Sequence, residues 1–263
     1  MSVIRQPVVA GSFYPADPAE LETIVNGYLG EVSGQRTETP PKALIVPHAG
    51  YVYSGPIAAT AYAALRGLRS TVERVVLLGP SHRFPLTGLA ATEADAFLTP
   101  LGMVPVDREA LQPVLHLAQV RLLESAHALE HSLEVQLPFL QCVLDRFSLV
   151  PFSVGDATSE EVAEVLEELW GGRETLIVVS SDLSHYSDHE TAKRLDAATT
   201  RAIENCEPEQ LASESACGRV PVRGLLLAAK RHHLRCQTLD LRSSGDTSGP
   251  RSQVVGYGAY AFS

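Results

Sequence analysis

Residues 74–82 read RVVLLGPSH. Val75–Leu78 is a continuous apolar run with no polar alternate, so an extended segment here has no face suited to water. That pattern marks a strand buried on both sides, as in the interior of a parallel sheet. Gly79, Pro80 and Ser81 then break the strand, and His82 follows on the turn. Two other segments repeat the design. ALIV at Ala43–Val46 runs into Pro47-His48-Ala49-Gly50, and TLIVV at Thr175–Val179 runs into Ser180-Ser181-Asp182-Leu183-Ser184-His185.

Helical patterns lie between these strands. Gly55–Leu65 is alanine-rich. Thr158 and Glu161 form a capping box ahead of VAEVLEELW, which Gly171-Gly172 ends. Ser187 and Glu190 make the same pattern before a helix through Ala202, and Val222–Arg231 is a further helix. Two strands close the chain, Cys236–Leu241 and Val254–Phe262, around a Gly/Ser-rich loop, Ser243–Gln253, that holds Asp246. Strands alternating with helices predict an α/β fold: a mainly parallel or mixed central sheet with helices on both faces. The 263 residues are read as one domain, since no repeat or low-complexity run divides them. Glu31–Lys42 (EVSGQRTETPPK) reads as a surface loop.

Composition narrows the function classes. The formal net charge of -10 argues against a nucleic-acid partner. No run approaches the roughly 18 apolar residues of a membrane span, and no basic-then-apolar leader opens the chain. Cys142, Cys206, Cys217 and Cys236 form no C-x-x-C pair and read as reduced, mostly buried thiols of a cytoplasmic protein.

Ligands of open α/β sheets bind beyond the carboxyl ends of the strands. His48, His82 and His185 all fall there, so the topology predicts that they line one pocket. Imidazole and carboxylate are ligands for iron, zinc and similar metals, and a further histidine can move protons. Asp182 and Asp246 are the nearby carboxylates, each also readable as a turn residue that binds backbone N–H groups, Asp246 in SSGDTSG most strongly so. Tyr51 and Tyr53 read either as pocket border or as half-buried loop aromatics. His127-Ala128-Leu129-Glu130-His131 matches H-x-x-E-H, which on a helix would be an inverted-zincin metallopeptidase site.

The chain as a whole resembles the Memo family. The resemblance lies in GSFY at 11–14, PHAGY at 47–51, YSG at 53–55, GPSH at 79–82, EHSLEVQLPFL at 130–140, SSDLSH at 180–185 and VVGYG at 254–258. The bacterial and archaeal branch is called AmmeMemoRadiSam system protein B. The resemblance implies a fold similar to class III extradiol dioxygenases, which open catechol rings with non-haem Fe(II). It implies His48 and His82 as metal ligands, His185 as acid/base and Asp182 as an acidic pocket residue. Asp246 is then the third ligand, aligned with a cysteine of the animal protein. Phe13 and Tyr14, Tyr51, Glu130 and His131 become pocket or supporting residues. Fe(II) is the implied metal, with copper or zinc as alternatives. The implied partners are a small-molecule or peptide ligand and AMMECR-like and radical SAM proteins. The competing expectation is a non-catalytic peptide- or partner-binding module on the same scaffold.

Overall fold

A computed structural model of the chain describes residues 2–32 and 39–263. Half of the loop expected at Glu31–Lys42, residues 33–38, therefore lies outside the described residues. In chain order the strands are β1 (Ile4–Arg5), β2 (Ala43–Val46), β3 (Arg74–Pro80), β4 (Leu89–Ala91), β5 (Ala96–Thr99) and β6 (Gly102–Pro105). They continue with β7 (Val120–Leu122), β8 (Ser148–Val154), β9 (Thr175–Ser180), β10 (His185–Ser187), β11 (Cys236–Ser243) and β12 (Val254–Phe262). The helices are α1 (Pro18–Glu31), α2 (Tyr51–Ala63), α3 (Arg108–Leu111), α4 (Leu137–Val143), α5 (Ser159–Glu168), α6 (His189–Glu204) and α7 (Arg219–Arg231).

The main sheet runs β10-β12-β2-β9-β3-β8-β4-β7, with β11 paired to β12. Its centre, β2-β9-β3-β8, is all parallel. β12 joins β2 antiparallel and β4 joins β8 antiparallel, so the sheet is mixed at both flanks. A small second sheet, β1-β5-β6, packs nearby. Every residue of β2 and β9 is buried, as is β3 beyond Arg74, which is what their unbroken apolar runs require. No helix among the described residues is long and apolar enough to cross a membrane.

Local signals explain most boundaries. The Thr158–Glu161 capping box is present in full at the start of α5. At α6 the cap shifts by one residue: Asp188, not Ser187, accepts from the Thr191 N–H. Ser187 is taken into β10, where it pairs with Val254, so the next small polar residue caps the helix. α2 begins at Tyr51, earlier than Gly55, and carries Pro56 inside it. Proline has no N–H to offer the preceding turn. The Val52 carbonyl accepts instead from Ser248 Oγ at 3.1 Å, which ties the 243–253 loop to the helix.

A buried polar network joins two segments far apart in the chain. The Arg5 guanidinium and the Glu134 carboxylate are both buried and meet at 2.7 Å. Glu134 also accepts from the backbone N–H groups of Val8 and Val9 and from the Tyr14 hydroxyl at 2.6 Å. Arg5 donates to the carbonyls of His127 and Glu130. One ion pair thus ties the N-terminal segment to the 127–134 segment.

Candidate metal centre

The carboxyl ends of β2, β3 and β9 deliver His48, His82 and Asp182–His185 to one cavity of about 770 Å³. His131 joins them from the 127–134 segment. One ring nitrogen from each of His48, His82 and His131 lies within 4.8 Å of the other two. The ring centroids are 5.2 Å apart for His48–His82, 5.6 Å for His48–His131 and 4.9 Å for His82–His131.

Hydrogen bonds set two of the tautomers. Ser180 Oγ donates its only proton to the Ser132 carbonyl at 2.7 Å and accepts from Gln136 Nε2 at 2.7 Å. It must therefore accept from His48 Nδ1, 2.9 Å away, which leaves the lone pair on His48 Nε2. Glu130 Oε1 accepts from His82 Nδ1 at 3.0 Å, leaving the lone pair on His82 Nε2. The same carboxylate accepts from the backbone N–H groups of His82 and Ser132. Metal-binding histidines are held in this way, by an acceptor on the outer nitrogen.

The electrostatics agree. Burial, then the neighbouring His82, holds His48 down to about 3. Burial and His48 hold His131 down to about 4. Both rings are therefore neutral and able to ligate at neutral pH. Burial opposes ionisation of Glu130, but the His82 ring and the two backbone N–H groups outweigh it and bring the carboxyl to about 2. Asp182 lies on the cavity floor. Its Oδ1 accepts from the His48 N–H at 2.8 Å, while burial raises its pKa. His185 Nδ1 donates to the Leu183 carbonyl at 2.8 Å, so its lone pair is on Nε2.

Close approach at two glycines makes the assembly possible. A Cβ on Gly79 would lie 2.6 Å from Ser132 Oγ, so only glycine lets the segment after His131 pack on the end of β3. A Cβ on Gly218 would lie 2.6 Å from the Ser181 Cβ, so glycine lets Cys217 reach the end of β9.

Asp246 is placed differently from the expectation. It is not among the cavity-lining residues. Its Oδ2 accepts from the Ser243 N–H and hydroxyl at 2.9 Å, and its Oδ1 pairs with His189 Nε2 at 2.8 Å. Burial opposes ionisation, yet these partners keep its pKa below the ordinary carboxylate value. The carboxylate closes the turn that carries Ser244, Gly249 and Pro250 to the cavity wall. His131, read from the sequence as a supporting residue, stands with His48 and His82 instead. Tyr14 and Tyr51 also lie behind the wall: Tyr14 on Glu134, and Tyr51 with its hydroxyl on the Val135 carbonyl at 2.7 Å. Phe13 lines the cavity, edge-on to His131 at 4.9 Å.

Cys217 carries no motif that marks it in the sequence. The structure puts its sulfur 3.4 Å from His48 Nε2 and on the cavity wall. Burial, and then Asp182, pushes this thiol well above its usual pKa. The H-x-x-E-H pattern loses its geometry. Residues 127–129 form a turn and Glu130 and His131 are irregular, so none of the five is helical, and His127 is fully buried with Nε2 on the Ala90 carbonyl at 2.9 Å.

Tyr186, at the cavity mouth, has φ of 60° and is 72% exposed. It is the residue looped out where the β10–β12 register shifts. A left-handed tyrosine costs about 1 kcal/mol or more. Relief of that strain, set against the roughly 0.5–1 kcal/mol of backbone entropy that glycine loses on folding, makes Tyr186→Gly expected to stabilise the fold by about 0.5 kcal/mol. Chemical denaturation checks this, and a drop in stability would show that tyrosine's contacts outweigh the strain.

The class defined here is a mixed α/β sheet with a histidine-lined cavity at its strand ends. The family model described as Memo-like protein matches residues 5–261. The chain is 38% identical over 285 residues to a MEMO1 family protein of Ignicoccus hospitalis, covering 99% of each. It is 37% identical over 265 residues to one of Aquifex aeolicus, covering 97% of each. This chain belongs to the Memo family. Its fold is similar to the crystal structure of the uncharacterized protein JW3007 from Escherichia coli K12, at a TM-score of 0.54 and 14% identity. That match covers 82% of this chain and 98% of the other.

Proposed function

We propose that the cavity is the site of a metal-dependent, dioxygenase-like oxidoreductase acting on a small organic ligand. The observation that carries this reading is the convergence of three imidazoles, each offering one nitrogen within 4.8 Å of the others. His48, His82 and His131 would hold the ion. Three imidazoles suit iron, copper or zinc alike, and Fe(II) is the one of these that a dioxygenase-like reaction calls for. A bound ion supplies Lewis-acid polarisation and, for iron or copper, redox chemistry.

The chain supplies the rest. Glu130 and Ser180 fix the ring orientations of His82 and His48. His185 Nε2, with its lone pair free, accepts a proton from a ligand hydroxyl and returns it later. Asp182 fixes the backbone at His48. Phe13 and Tyr257 restrict water on the cavity wall.

Anaerobic loading with Fe(II), followed by metal analysis, tests the centre. The His48→Ala/His82→Ala double variant is expected to lose at least about 100-fold in affinity. Wild-type iron binding in that variant would overturn the reading. A second reading has its own observation: Val52, Tyr53 and Tyr186 expose apolar surface around the mouth. That rim would suit a partner of the AMMECR-like or radical SAM kind, bound without turnover. Co-purification that survives loss of His185, with no metal-dependent turnover, would favour it.

A further inference from the structure

We infer that the cavity selects an organic anion: an apolar, ring-sized body ending in a carboxylate or phosphate, with Arg83 as the residue that receives the charge. This rests on the reading that the cavity binds a small ligand and goes beyond it by naming the ligand's chemistry.

Among the described residues that line the cavity, Arg83 is the sole arginine or lysine and Asp182 the sole aspartate or glutamate. Asp182 is buried on the floor and already accepts from the His48 backbone. The Arg83 guanidinium has no hydrogen-bond or ion-pair partner among the described residues. A guanidinium presents five donors in a planar fork matched to carboxylate and phosphate oxygens. Here the fork is uncommitted, one residue from a histidine of the candidate metal centre.

The turn that carries it is held. Ser81 Oγ donates to the Phe84 carbonyl at 2.6 Å, and the Ser81 N–H donates to the Val154 carbonyl at 2.9 Å. Arg83 is thus mounted on an anchored turn at the end of β3. The rest of the wall is largely apolar: Phe13, Val52, Tyr53, Val255 and Tyr257. These surfaces accept a hydrophobic body, while the cation accepts its charged end.

The overall charge sharpens the point. A chain of net charge -10 repels small anions in general. Anion selectivity here needs a local cation, and Arg83, which no carboxylate engages directly among the described residues, provides one on the cavity wall.

Calorimetric titration tests the inference with 3-phenylpropionate, its neutral amide and phenyl phosphate, with metal content measured on every sample. Arg83→Gln is expected to weaken both anions about 10- to 100-fold at low salt while leaving the amide unchanged. Arg83→Lys, which keeps the charge but not the fork, should fall between. The ratio of phosphate to carboxylate affinity shows which anion the site prefers. Equal anion affinities in wild type and Arg83→Gln would overturn the inference, as would no anion binding by the wild type. Anion binding lost in His48→Ala/His82→Ala but intact in Arg83→Gln would place the anion on the metal. That outcome overturns the Arg83 assignment and leaves the metal reading standing. Arg83-dependent binding in a wild-type protein that takes up no metal would support the inference while the metal reading fails.

Discussion

Glu134→Ala is expected to cost about 3–5 kcal/mol, the range found when one partner of a buried ion pair is removed. The reason is the company Glu134 keeps. Its removal leaves the buried Arg5 guanidinium uncompensated and strips partners from the Val8 and Val9 N–H groups and the Tyr14 hydroxyl. The effect should reach the candidate metal centre. Arg5 also holds the carbonyls of His127 and Glu130, which lead directly into His131. Urea denaturation measures the loss. Glu134→Gln, which keeps the shape and part of the hydrogen bonding, should cost less. An Arg5→Met/Glu134→Met double variant should recover part of the stability, because no charge is then left buried alone. A Glu134→Ala loss below about 1 kcal/mol would show that water reaches Arg5 and that the pair is not a true buried contact.

The metal-free protein is expected to lose stability steeply as pH falls below about 6.5. Three buried histidines set the effect. His48 is held down to about 3, His127 to about 4 and His131 to about 4, in each case chiefly by burial. Below 6.5 the unfolded chain takes up protons at these positions and the folded chain does not. The unfolded state then binds more protons, so stability rises with pH across this window and falls on acidification. With three sites the slope approaches about 4 kcal/mol per pH unit. Glu130 acts lower down. Its carboxyl stays ionised to about 2, so its contribution is present above the ordinary carboxylate range and is lost only as pH falls toward that value. Denaturation midpoints from pH 7.5 to 5 check the prediction. A flat profile would mean that the rings ionise freely in the folded state. Bound metal should raise stability across this window without flattening the limb, because the folded His48 and His131 are already unprotonated there and the proton difference from the unfolded chain is unchanged.

Much of this was legible in the chain. Unbroken apolar runs ending in small residues and a histidine placed β2, β3 and β9, because strands buried on both faces leave no polar alternation. Parallel orientation then put His48, His82 and His185 at one end of the sheet. Local caps were readable too, except at Ser187, where pairing with Val254 overrode the capping preference.

Distance between chain segments was not legible. Nothing in the spacing of His131 shows that it stands beside His48 and His82, since its position depends on the Arg5–Glu134 pair and on the contact that Gly79 permits. Nothing local to Cys217 shows that it reaches His48. Asp246 had the right residue type for a ligand, but its own turn and His189 consumed its oxygens. The sequence by itself determined the sheet and the strand-end histidines, because burial pattern and strand polarity are written locally. The tertiary structure alone decided the third member of the cluster. Convergence of side chains is set by packing between distant segments, and no local pattern encodes it.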